Sequence, residues 1–485
     1  MLEALRRKYD GMPVAAKAAL WFTVCNFFLA GLGFITGPLF TRLLPPEEYG
    51  ILTLYVTYEQ IILILATWEI QVGAYQRGLF KYEGKWPQYS QSTLLLVNLL
   101  TIGAFLLVLL FHRPVIAFTR MSPLTLALLF VYLLFQPAYT CWNTRKRTLY
   151  DYKAVVGITV LYSLLNIIIP LLAVLFIRGT AAVKFNATLA TSIAILAFFY
   201  FSTMLRRDAR PAWEEVRPQW RYMIAYEAPL VLHSLSYLVL GQADRVMIGK
   251  MVGDREAAFY GVAYTLASAV TILQSSLNQA LTPWRFHKLK EENYGIIGST
   301  TVLILLFIAG AILAVVLIAP ELMKLLFTDD YYEAVLCIPP VTVSVFFMFL
   351  YSTFVSVESY YEKTKYIMYV SVFCGLVNIL LNYLLIPVFG YIVCGYTTLA
   401  SYILFAVLHY YFMRLVCRKA IPGVRFFPMA TILAISAAAV VCSVLITLLY
   451  PYWIARYALV LVILGLGFIY RKQLRAVWET IKAAK

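Results

Sequence analysis

Apolar runs of about 20 residues recur along the whole chain, and as a helix each is long enough to cross a hydrocarbon core of roughly 30 Å. In lipid every backbone N–H and C=O must find its partner inside the protein, so such runs are confined to helices. Composition agrees where it matters: 62% of the residues are hydrophobic and only 13% charged. Soluble domains carry about a quarter charged residues. The chain therefore reads as an all-α polytopic membrane protein. About 14 spans of sufficient length are expected. In the first half they lie near 18–40, 50–73, 91–111, 123–141, 155–177 and 183–204. The second half supplies 222–249, 258–283, 296–319, 335–357, 366–388 and 392–413, followed by 427–450 and 453–470.

Connections between these runs are short, so neighbours in sequence are expected to be antiparallel neighbours in space. The longest polar break, Arg206 to Arg221, reads RRDARPAWEEVRPQWR. It is taken as a cytoplasmic linker, 206–221, between an N-terminal six-helix lobe, 1–205, and a C-terminal six-helix lobe, 222–414. Two additional helices follow within 427–471. The formal charge of +16 would suit a nucleic acid, but basic residues collect in the cytoplasmic loops of membrane proteins, and no nucleic-acid partner is called for. With the loops assigned alternately, roughly 30 of the Lys and Arg residues fall on the side of the N-terminus and only about 9 on the other. Arg145-Lys146-Arg147, Arg206-Arg207, Arg418-Lys419 and the tail residues Arg471, Lys472 and Arg475 belong to the rich side. Both termini are expected in the cytoplasm. The run that begins after Arg6, Arg7, Lys8 and Lys17 is too long for a signal-peptide core and is read as an uncleaved first span.

An internal repeat is visible. Lys153 precedes Asn166 by the interval that separates Lys365 from Asn378, at an offset of 212. Tyr49-Gly50 and Tyr260-Gly261 are 211 apart, and each pair restarts an apolar run after a short acidic loop. A six-span duplication follows, and because six is even the halves form a parallel repeat about an axis along the membrane normal.

Several functions are disfavoured by what is missing. There is no GxxxxGK[ST] stretch, which argues against an ATP-driven pump within this chain. The seven cysteines are scattered without metal-ligand spacing, the four histidines are dispersed, and no cofactor is called for. What stands out is polarity inside the spans. Glu227, Ser234, Tyr237, Gly241 and Asp244 share one face of span seven. Tyr264, Ser268, Thr271, Ser275, Asn278 and Thr282, spaced alternately by four and three, make a longer stripe on span eight. Span one offers Thr23, Asn26, Ala30, Gly33 and Gly37, and span two Tyr55, Glu59, Ala66 and Glu69. Polar faces in a bilayer need protein or water beside them, so spans one, two, seven and eight are expected to line one polar cavity between the halves. Small and hydroxyl residues also serve as ordinary packing between membrane helices, a reading that stays open for span one. Charges are more telling, because a membrane-embedded acid or base usually faces a cavity or a partner. Asp244 and Arg245 are adjacent and point about 100° apart around a helix. Arg245 can also snorkel to the interface, and Glu69 and Glu358, nearer the inner ends, read as interfacial.

With these residues in place the chain resembles a known family. Thr41-Arg42-Leu43-Leu44-Pro45-Pro46-Glu47-Glu48-Tyr49-Gly50 is similar to the first loop of bacterial polysaccharide flippases. Ala243-Asp244-Arg245, Gly253 and Phe259-Tyr260-Gly261 reinforce the likeness at spans seven and eight. These are the transporters of lipid-linked oligosaccharide repeat units in the multidrug/oligosaccharidyl-lipid/polysaccharide exporter superfamily. The resemblance implies a MATE-like bundle of two six-helix lobes in the bacterial inner membrane, moving undecaprenyl-diphosphate-linked sugars outward by alternating access. A polysaccharide polymerase and export machinery are the partners it suggests. A planar arginine fork suits phosphate oxygens, so Arg245 is the first candidate for the diphosphate and Arg42 the second. Asn26, Tyr55, Tyr237, Gln242, Tyr264, Ser275 and Asn278 are candidates for substrate contact, with tyrosine planes suited to sugar rings. Glu59, Glu227 and Asp244 are candidates for coupling to Na⁺ or H⁺. Few cationic positions read as deeply buried. The alternatives are a drug/cation antiporter of the same superfamily, with an acid-dominated apolar cavity, and a flippase for the peptidoglycan precursor or a sporulation-associated relative. A membrane glycosyltransferase or polymerase is the enzymatic rival, but the longest outer loop, about Pro320 to Glu333, is small for it.

Overall fold

The computed structural model describes residues 9, 11–361, 363–424 and 426–469. Arg6, Arg7, Lys8, Arg471, Lys472 and Arg475 lie outside the described residues. The chain divides into two compact units, Met1–Leu238 and Val239–Lys485.

In the first unit the helices are α1 (Val14–Leu43), α2 (Pro46–Thr67), α3 (Gly73–Lys81), α4 (Trp86–Leu110), α5 (His112–Thr119), α6 (Pro123–Thr148), α7 (Tyr152–Phe176) and α8 (Ala181–Met204). A 3-10 turn, Arg207–Ala209, leads into α9 (Trp213–Met251), which runs on into the second unit. That unit continues with α10 (Asp254–Lys290), α11 (Tyr294–Leu326), a 3-10 segment Asp329–Cys337, α12 (Ile338–Tyr360), α13 (Thr364–Phe389), α14 (Val393–Ala420), α15 (Met429–Leu448) and α16 (Trp453–Ile469).

Local chemistry sets the helix starts. Pro45 and Pro46 fix the backbone at the head of α2, and Glu47 and Glu48 complement its positive end. Glu48 also reaches across to accept the Ala181 amide at the start of α8, 2.7 Å away. Ser122 caps α6 through Thr125 N, and Arg145, Lys146 and Arg147 load its last turn where the dipole favours cations. In the loop after α6, Lys146 donates to Asp151 at 2.6 Å and holds that carboxyl below the usual carboxylate range, while Asp151 caps α7 through Ala154 N.

Twelve helices among the described residues are long and apolar enough to cross a membrane, thirteen when the bent pair Trp213–Ser236 and Leu238–Met251 counts as one span. The fourteenth expected span, 453–470, is α16. It is described as far as Ile469. Of the segment expected to be a linker, Trp213–Arg221 forms the first turns of α9 instead of an open connection. Trp220 there donates to Ser92 O at 2.9 Å, so this stretch is packed onto the first unit.

The repeat is visible in the packing. In the first unit the fourth span packs on the sixth (α6 on α8), the fifth on the sixth (α7 on α8), the third on the fourth (α4 on α6) and the second on the third (α2 on α4). The second unit repeats each pairing: α12 on α14, α13 on α14, α11 on α12 and α10 on α11. The trailing helices attach to the second unit through α11. α15 packs along it, Tyr450 donates to Val316 O, and Arg456 of α16 grips Glu321 with two parallel bonds of 2.6 and 2.7 Å.

Candidate functional site

Four helices of the second unit converge on Asp244. Its side chain is wholly buried, which in a membrane-spanning helix demands compensation. Asn382 of α13 donates to Oδ1 at 2.6 Å, while Tyr260 of α10 and Thr398 of α14 donate to Oδ2 at 2.6 and 2.5 Å. Thr397 donates in turn to the Asn382 carbonyl, and Asn382 Nδ2 also approaches Asn378 Oδ1 at 3.4 Å. Asn378 Nδ2 is buried without a partner. All these partners are neutral. The cluster gathers one formal negative charge and a set of hydroxyl and amide oxygens, the donor chemistry of a hard cation site. No group of three or more His, Cys, Asp or Glu side chains suited to a metal occurs among the described residues.

Arg245, the next residue, turns away as the helix geometry requires. Its guanidinium lies over the Tyr264 ring at 4.5 Å, and its Nε is buried without a hydrogen-bond partner. Tyr264 in turn touches Tyr260 with ring centroids 5.1 Å apart, so an aromatic pair stands between the arginine and the oxygens around Asp244. Gln242 is half-buried on the same stretch of α9.

Further along α10, Ser275 spends its hydroxyl on Ile272 O of its own helix. Asn278 accepts from Ser352 of α12 and from Arg285, both at 3.2 Å. Arg285 is the residue that sequence reasoning missed. It is 1% exposed, donates to Thr353 of α12 at 3.0 Å, and lies 5.4 Å from the Phe349 ring centre. Among the described residues no acidic side chain pairs with it. A guanidinium offers five N–H donors, and among the described residues its side-chain hydrogen-bond partners are the neutral Asn278 and Thr353. The signal was present: the alternation that gave Tyr264, Ser268, Thr271, Ser275, Asn278 and Thr282 lands on Arg285 at its next step. Among the described residues Arg285 and Arg456, the latter 4% exposed, are the buried cations, in keeping with the expectation that these are few.

In the first unit, Glu59, Glu69 and Ser234 do meet. With Gln60, Leu63 and Leu238 they help line a cavity of about 290 Å³. Tyr132 of α6 and Lys184 of α8 are the groups that act electrostatically on Glu59. Other candidates lie elsewhere. Tyr55 is buried in this unit's core, donating to Arg120 O at 2.9 Å and resting edge-on to Phe185, because its ring points between α2 and α8 and not toward the acids. Glu227 accepts the Ala74 amide at 2.5 Å and so closes the start of α3, a structural duty that occupies one of its oxygens. Asn26 and Arg42 are exposed on α1. Of Tyr237 only the backbone is described. Glu358, expected at an interface, is fully buried in the second unit against His409.

Comparison with known proteins gives a consistent result. A family model described as "Polysaccharide biosynthesis protein" matches residues 15–288, more than half of the 485, and one described as MatE matches residues 229–384. A relative in Haemophilus influenzae, "Lsg locus putative protein 1", is 27% identical over 108 residues, which is 21% of this chain and 27% of that protein. An uncharacterized membrane protein of Methanocaldococcus jannaschii, MJ1375, is 26% identical over 183 residues, 37% of this chain and 42% of that one. The chain thus matches less than half the length of either relative. Among solved structures, the lipid II flippase MurJ in an inward closed conformation aligns with a TM-score of 0.66 at 13% identity, over 94% of this chain and all of that one. An inward-facing multidrug resistance MATE transporter of the MOP superfamily aligns at 0.63 and 13%, over 81% and 96%.

Proposed function

Since this chain belongs to the polysaccharide biosynthesis protein family and has the fold of MOP-superfamily transporters, we propose that it is a flippase for polyprenyl-diphosphate-linked oligosaccharides. It carries undecaprenyl-diphosphate-linked repeat units from the cytoplasmic to the outer leaflet of a bacterial inner membrane by alternating access. The excess of basic residues in alternate loops supports cytoplasmic termini. The observation that carries the substrate class is Arg285, a buried guanidinium with neutral partners and no acid, on the same polar stripe as Asn278. Its fork matches the oxygens of a phosphate, and a ligand anion supplies the charge that the protein withholds. Arg245, braced on Tyr264, is a second cationic contact. The Asp244 cluster is the coupling site, where Na⁺ or a proton replaces the hydrogen bonds now converging on the carboxylate.

A drug or cation antiporter of the same superfamily is the second reading. The acidic cavity of the first unit favours it, since Glu59 and Glu69 among Leu63 and Leu238 suit an amphipathic cation. The MurJ-like fold keeps a peptidoglycan-precursor flippase as a relative of the first reading, because that ligand shares the lipid diphosphate. Expression in a bacterium lacking its own repeat-unit flippase separates these. Restored surface polysaccharide supports the oligosaccharide flippase. Resistance to cationic dyes without restored polymer, from well-inserted protein, overturns it in favour of the antiporter.

A further inference from the structure

Glu358 of α12 and His409 of α14 are both 0% exposed, and Nδ1 of the histidine lies 3.0 Å from Oε1 of the carboxylate. They join the two most closely associated helices of the second unit. Each has a second polar atom, Oε2 and Nε2, buried without a hydrogen-bond partner. Aromatic rings wall the histidine: Phe405 is edge-on at 4.7 Å and Tyr351 stacked at 5.9 Å. A purely structural buried pair would be expected to satisfy those atoms. This one keeps two open positions for a proton.

We infer that Glu358 and His409 form a proton-binding site, separate from the Asp244 cluster. With a neutral imidazole donating from Nδ1, the pair carries one negative charge. One proton taken from water, on Nε2 or on the carboxyl, makes the pair neutral, and its return to water restores the charge; only an N–H or O–H bond forms or breaks. A cavity of about 10 Å³ lies beside the next turn of α14, among Tyr410, Met413 and Arg414. It is large enough for about one water.

Among the described residues no other charged side chain pairs with Glu358 or His409. On α14 the next titratable groups are Tyr402, Tyr410, Tyr411, Arg414 and Cys417, and on α12 they are Tyr351 and Tyr360. α10 brings Arg285, which is held at Thr353. α13 brings Lys365, and Tyr366 stacked on Phe412; α11 brings Tyr294, stacked on Phe426. α15 has no charged residue, and Asp329, Asp330 and Glu333 precede the opposite end of α12, as does Glu321 at the end of α11.

The test reads proton binding and not transport. The chain has four histidines, His112, His233, His287 and His409, so the full-length protein labelled with ¹⁵N-histidine in lipid nanodiscs gives resolvable imidazole signals. Titration should show one imidazole that is missing from His409→Gln and whose midpoint moves in Glu358→Gln, with the other three unchanged. Glu358→Gln keeps a side-chain oxygen for Nδ1 and is the variant expected to fold; an unchanged thermal midpoint checks that it does. A His409 signal that never titrates, or that titrates identically in wild type and Glu358→Gln, overturns the proposal. Because the site would function within the transport cycle, the inference rests on the transporter reading for its purpose. Failed complementation with a titrating His409 would reject the substrate and leave the proton site standing, and the reverse result would do the opposite.

Discussion

Asn166 and Asn378 stand 212 residues apart at matching places in the two six-helix patterns, and their surroundings have diverged. In the first unit the amide of Asn166 donates to Tyr162 O, its carbonyl accepts from Ser192 at 2.9 Å, and Tyr162 OH closes the loop onto Ser192 at 3.0 Å. Nothing in that ring is charged. In the second unit Asn378 leaves its amide unpartnered beside Asn382, and Asn382 is committed to Asp244. The residue 211 before Asp244 is Gly33. The difference teaches how a duplicated bundle divides its labour. One copy keeps a neutral, closed network that holds helices together, while the other opens the same network and places an acid in it.

The hardest blow to this contrast is Asp244→Asn. It keeps the shape and removes the charge, so cation-dependent transport in proteoliposomes should fall by roughly the 5–150-fold typical of a lost coupling. Retained cation dependence would make the second network as structural as the first. Next comes Arg285→Gln, which should raise the substrate concentration for half-maximal transport by about tenfold or more, in line with losing a charge-assisted bond of roughly 1.5–3 kcal/mol. Arg285→Lys should recover part of it, since the charge survives and the fork does not. Asn382→Ala orphans Asp244 Oδ1 and should cost about 1–3 kcal/mol of stability, read as a lower thermal midpoint that added coupling cation partly restores. Ser192→Ala cuts the neutral ring and should cost only about 0.6 kcal/mol, with no change in cation dependence. A cation effect there would erase the distinction between the copies.

The smallest effect concerns helix starts. Asp151 caps α7, and its repeat-related position, Lys363, caps α13 with no side-chain hydrogen bond. Asp151 has its carboxyl lowered by Lys146, so its contribution is present above the unfolded value and lost as pH falls through the folded one. The exchange protection of Ala154 and Val155, measured against the intrinsic rate at each pH, should fall on acidification, while that at the start of α13 stays unchanged.

What could be read in advance follows from the reach of each argument. Helical period relates residues on one helix, so the α10 stripe led to Asn278 and, one step further, to Arg285. It says nothing about partners on other helices. Asn382 and Thr398 lie 138 and 154 residues from Asp244, and only the packing of α13 and α14 brings them to it. Glu358 was misjudged for the same reason: closeness to a helix end suggested an interface, but α14 covers it with His409. Tyr55 lies in the core: facing inward in a membrane bundle means either cavity or core, and spacing alone cannot tell the two apart.

The grip of Arg456 on Glu321 has a consequence for how the protein is made. The two are 135 residues apart, so at about 5–20 residues per second the ribosome needs roughly 7–27 s to deliver the arginine after the glutamate. For that interval Glu321 is without its guanidinium, and a chain cut short before α16 never obtains it. α16 thus closes this pairing late, and a truncation before it leaves Glu321 without the guanidinium that holds it in the folded unit.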